Sequence, residues 1–84
     1  MIIADINKIE GRRYPARRRT RSIIGKGLPI EAENFCMGFV ELEPNGGQVP
    51  WHNQEQAETY FLLEGLCELC LGAERQVLSA GQPV

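Results

Sequence analysis

The sequence is poor in the residues that most often carry chemistry or recognition: 84 residues include one histidine, one tryptophan and 7% aromatics. Long apolar runs are also missing. No stretch approaches the roughly 20 apolar residues that a bilayer span requires, and the opening MIIADINKIE has no cationic start followed by an apolar segment. Membrane and export classes are therefore set aside, and the expected compartment is the cytoplasm. Cysteine is scarce as well. The three present, Cys36, Cys67 and Cys70, are an odd number and fit reduced thiols better than a disulfide framework. Internal repeats and low-complexity tracts are absent too, while 43% hydrophobic and 24% charged residues are globular proportions. A chain of this size buries only about 60% of the surface its unfolded form exposes, so one small domain with a thin core is expected.

Charge is present but unevenly placed. Residues 1–27 carry eight Lys and Arg against two acids, a net +6, whereas residues 28–84 carry one Arg against nine glutamates, a net −8. The basic run RRYPARRRTR at 12–21 has the clustered arginines that phosphate rewards through counterion release. It lacks the interleaved aromatics of a single-strand platform, having only Tyr14, and Pro15 interrupts it. Nucleic acid is therefore not the expected partner. The plainer expectation is an arginine-rich arm lying across a glutamate-rich body, within one subunit or between two.

Turn signals divide the chain into that arm, residues 1–27, and a β-rich domain, residues 28–84. Gly11, Pro15, Gly25 and Gly27 prevent a continuous helix in the arm, and Ser22–Ile24 offers at most a short strand. From Phe35 to Leu42 β-formers dominate, and period two places Cys36, Gly38, Val40 and Leu42 on one face with Glu41 on the wetter one. Pro44, Asn45, Gly46 and Gly47 mark a strong turn, after which a strand should resume near Val49. Thr59–Leu63, Leu66–Leu71 and Arg75–Ser79 read as further strands, separated by turns at Glu64-Gly65, Gly72 and Ala80-Gly81. Short strands at such intervals predict an all-β antiparallel sandwich or barrel.

The informative constellation surrounds His52. In an extended segment His52 and Gln54 face the same side, and a reversal at Glu55–Ala57 would bring Glu58 within reach of that side. Imidazole, amide oxygen and carboxylate then converge. Such a set suits a borderline or hard divalent ion, Mn, Fe(II), Ni or Zn, with positions left for water or a ligand.

Gly46, His52, Gln54, Glu58 and Gly65 stand at the spacing G-x5-H-x-Q-x3-E-x6-G. This resembles the first motif of the cupin superfamily, G-x5-H-x-H-x3,4-E-x6-G, over residues 46–65. The resemblance implies an antiparallel jelly-roll β-barrel, often a homodimer, holding a divalent metal through His52, Gln54 and Glu58 beside a small-molecule pocket. Chemistry in that superfamily ranges from oxygenation to isomerisation to pure binding, so it leaves open whether the protein is an enzyme. Two departures stand out. Gln54 replaces the second histidine with a weaker amide donor. Of the second motif, G-x5-P-x-G-x2-H-x3-N, only Gly81 is present, and the expected barrel is incomplete at its C-terminal end.

A rival reading is a non-catalytic ligand-sensing module whose arginine arm contacts an acidic partner. Cys67 and Cys70 form C-x-x-C, a spacing found in redox and zinc motifs. Within a strand, however, residues three apart face opposite sides, so these thiols are expected to act as small hydrophobes. Tyr60 and Leu62 share the parity of Glu58 and should face inward, leaving Phe61 outward. Trp51 is expected to wall the cavity mouth or fill core.

Overall fold

The computed structural model describes every residue except Gln54. Five strands form two antiparallel sheets: β1 (Arg12–Tyr14), β2 (Arg18–Ile24) and β3 (Met37–Leu42) in one, β4 (Leu66–Leu71) and β5 (Glu74–Ser79) in the other. The all-β antiparallel class is as expected. The only helical turn described is a 3-10 segment at Ile6–Lys8, capped where Asp5 accepts a hydrogen bond from the Asn7 N–H at 2.9 Å. Among the described residues no helix is long and apolar enough to cross a membrane. Neither sheet closes on itself into a barrel. The chain divides into compact units at residues 1–51 and 52–84.

In the first unit the basic segment is a hairpin rather than a featureless arm. β1 and β2 pair with Tyr14 opposite Arg18, across the loop Pro15–Arg17, and β2 continues past Ser22 to pair with β3. The strand expected at Ser22–Ile24 thus begins four residues earlier. The turn carries no glycine: Ala16 (φ 67°) and Arg17 (φ 53°) adopt the left-handed conformation that usually marks Gly or Asn. The register slips between Ser22 and Ile24, and Ile23, at this bulge, is the most buried apolar residue of the unit at 7% exposure. Gly25, Leu28 and Ile30 fold back beside it through the Ile30 N–H to Ile23 carbonyl bond (3.1 Å) and the Gly25 N–H to Ile30 carbonyl bond (3.0 Å).

The face of β3 expected to be dry is not buried: Val40 and Leu42 are each 40% exposed. On the opposite face Phe39 alone is half-buried, between exposed Met37 and Glu41. The cause lies across the ladder. Arg21 stands directly opposite Phe39, with its guanidinium 5.9 Å from the ring centroid, and it also binds the Glu41 carboxylate and the Ile9 carbonyl. Arg19 donates from Nε and Nη2 to the Glu10 carbonyl at 2.8 and 2.6 Å. Two arginine stems therefore cover the face that alternation alone would expose, and they tie residues 9 and 10 to the sheet.

After β3 the chain turns at Glu43–Gly47, where the Gly47 N–H reaches the Glu43 carbonyl at 3.0 Å. A Cβ on Gly47 would fall 2.4 Å from that oxygen, so the turn tolerates only glycine there without shifting. No strand resumes near Val49. The Gln48 N–H instead bonds the Ala16 carbonyl at 2.9 Å, and the Glu43 N–H bonds the Arg17 carbonyl at 3.1 Å.

In the second unit β4 and β5 form a hairpin closed by Gly72-Ala73, with the left-handed backbone confined to Gly72 (φ 59°), as a two-residue hairpin loop requires. Cys67 sits opposite Leu78, and Cys70 opposite Arg75, so the two thiols point to opposite faces as expected; both are free. Leu78 is the buried apolar residue here, again at 7%. The run Thr59–Leu63 makes a single bridge, Phe61 to Pro83, rather than a strand. Tyr60 and Val84 nevertheless exchange backbone hydrogen bonds at 3.0 and 2.7 Å, and Tyr60 and Leu62 are half-buried while Phe61 is exposed.

Candidate metal centre

The second unit brings together the two side chains that stand six apart. His52 Nε2 lies 3.7 Å from Glu58 Oε2, with the side chains 41% and 33% exposed. Glu58 owes its position to the backbone pairing of Tyr60–Leu62 with Gln82–Val84, two residues further on. A bend at Glu55-Gln56, rather than a ladder between two strands, returns the chain toward His52. Gln54 lies outside the described residues, so the third expected ligand has no stated place. Trp51 is 69% exposed and fills no core.

One imidazole nitrogen and one carboxylate oxygen make a mixed N/O pair, the chemistry that divalent Mn, Fe, Ni and Zn accept. Donors about 2.1 Å from a shared ion stand roughly 3.0 to 3.4 Å apart at octahedral and tetrahedral angles. The observed gap exceeds that by a few tenths of an ångström, and partial exposure leaves room to close it. Among the described residues no group of three or more His, Cys, Asp or Glu gathers anywhere in the chain. The described pair supplies two donors of the type such ions accept, fewer than a complete protein ligand set.

The two glycines that frame this segment have backbone reasons to be glycine, with φ 135° at Gly46 and 85° at Gly65. A family model described as the cupin domain matches residues 38–84. The chain belongs to the cupin family. The matched region begins inside β3 and contains both glycines, His52 and Glu58. In this cupin the whole basic segment, with β1 and β2, precedes the match, yet β2 supplies the strand beside β3. Neither a curated protein nor a solved structure matches the chain.

What residue order concealed is the arrangement of the arginines around Tyr14. The guanidinium carbons of Arg12 and Arg18 lie 4.8 and 4.3 Å from the Tyr14 ring centroid. The hairpin register would have revealed this, since Arg12, Tyr14, Arg18 and Thr20 share one face once Tyr14 is set opposite Arg18. The expected ion pairs between basic segment and acidic body amount, in this unit's described residues, to Arg21 with Glu41.

Proposed function

We propose that this cupin is a small-molecule-binding protein in which His52 and Glu58, joined by Gln54, hold a divalent cation. The observation that carries the reading is the approach of His52 Nε2 to Glu58 Oε2 within the segment matched by the cupin model. A divalent ion at this place supplies Lewis-acid polarisation to an oxygen-bearing ligand. His52 would supply an imidazole nitrogen and Glu58 a carboxylate oxygen to the cation. Their partial exposure gives a small polar or anionic ligand a path to the same point.

Titration of purified protein with Mn2+, Ni2+ and Zn2+, followed calorimetrically, tests the reading. One saturable site is expected, with His52→Ala and Glu58→Gln each weakening it at least about tenfold, a loss that even an outer-shell partner causes. Absence of a saturable site for all three ions, or affinity untouched by both substitutions, removes the metal.

A further inference from the structure

We propose that the first unit carries a separate binding site for a small polyanion, a molecule bearing phosphoryl or carboxylate groups, in the cleft beside the β1–β2 turn. The cleft has a volume of about 510 Å³ and is lined by Arg13, Tyr14, Arg17, Arg18 and Arg19 together with Glu41–Pro44. That volume lies within the range of small-ligand sites. The lining residues include four arginines and two glutamates, and Glu41 is already engaged by Arg21, so the lining is net positive.

The cations are held in place by contacts that leave donors over. Arg17 spends one N–H, from Nη1, on the Asn45 carbonyl at 3.0 Å, and Arg19 spends Nε and Nη2 on the Glu10 carbonyl. Arg18 is steadied by the Tyr14 ring. A cation–π contact engages the face of the guanidinium and leaves the terminal Nη N–H groups to bind in its plane. Planar forks fixed in this way match the oxygens of phosphate and carboxylate.

Two unfavourable features coincide here, and an anion would relieve or exploit each. Arg13 stands directly opposite Arg19 across the β1–β2 ladder, a like-charge pair that destabilises a sheet unless something lies between. Ala16 and Arg17 hold left-handed backbone without being glycine, a strain that clusters at ligand sites. A nucleic-acid strand is a poorer fit, because the one aromatic ring of the site is already in contact with two guanidiniums and offers no free stacking platform. None of these residues belongs to the His52–Glu58 pair.

The test is a titration of the whole chain with pyrophosphate and, separately, with citrate at physiological ionic strength, read by calorimetry and by the arginine Nε–H resonances of labelled protein. Saturable one-to-one binding of either probe is expected, and which one binds tells phosphoryl from carboxylate recognition. Arg18→Gln and Arg13→Gln should each weaken it about tenfold or more, while Lys26→Gln, the same charge change outside the cleft, and His52→Ala leave it unchanged. Arg13 is exposed on the edge strand, so its variant keeps the fold if Arg18→Gln does not. The proposal fails if neither probe saturates, if Lys26→Gln weakens binding as much as Arg13→Gln, or if only oligonucleotides bind, with affinity rising with their length.

Discussion

In the first unit Arg21, 15% exposed, reaches the Ile9 carbonyl, the Phe39 ring and the Glu41 carboxylate; in the second, Arg75 is 73% exposed and its recorded partner is Glu68, at 3.4 Å. Both are arginine–glutamate pairs on antiparallel sheets. Their surroundings differ. Water screens the Arg75 pair on every side and leaves it worth little, whereas the Arg21 guanidinium is half enclosed and takes part in covering an aromatic ring. Each unit also rests on one well-buried apolar side chain, Ile23 or Leu78. The two sheets are thus alike in how little they bury and unlike in what their charged residues do.

The largest expected effect tests the likeness. Truncating Ile23 or Leu78 to alanine should each cost about 2 to 4 kcal/mol in urea unfolding, the usual range for a buried aliphatic side chain. A loss below about 1 kcal/mol for either would show that its unit does not depend on that contact. Next comes the contrast in charge. Arg21→Met should cost about 1 to 2 kcal/mol through the lost charge-assisted hydrogen bonds, and Arg75→Met should stay within about 0.5 kcal/mol; equal costs would erase the distinction. The smallest pair compares the two hairpin turns. Gly72→Ala should cost about 1 kcal/mol because an L-residue enters left-handed backbone. Ala16→Gly should return about 0.5 kcal/mol, the released strain being partly offset by glycine's extra chain entropy. Melting temperatures moving the other way at both positions would refute the turn assignment.

Much of the second unit was legible in residue order. Alternation and Gly72 locate the β4–β5 hairpin, and the same parity puts Cys67 and Cys70 on opposite faces. The spacing from His52 to Glu58 anticipates their approach, although a bend rather than a ladder achieves it. The first unit was harder to read. Its hairpin turns on Ala16 and Arg17, residues that do not advertise a turn, and on β3 the one half-buried side chain, Phe39, is covered by an arginine that alternation counts as polar. Val49 and Thr59–Leu63 have strand-like sequences, but Val49 has no ladder partner and Thr59–Leu63 pairs only through a single bridge at Phe61. β-propensity without a neighbouring strand leaves an extended chain.

Residue order alone carries the all-β class, the thin core, the cupin resemblance and the pairing of His52 with Glu58, because these follow from composition, parity and short spacings. The folded chain alone decides that the basic segment is a hairpin, that Arg21 shields Phe39, and that Arg13, Arg17, Arg18 and Arg19 gather at one cleft. Those outcomes depend on which strand lies opposite which and in what register. A one-residue slip of β2 in that register would exchange its two faces and part Arg18 from Tyr14 and Arg21 from Phe39.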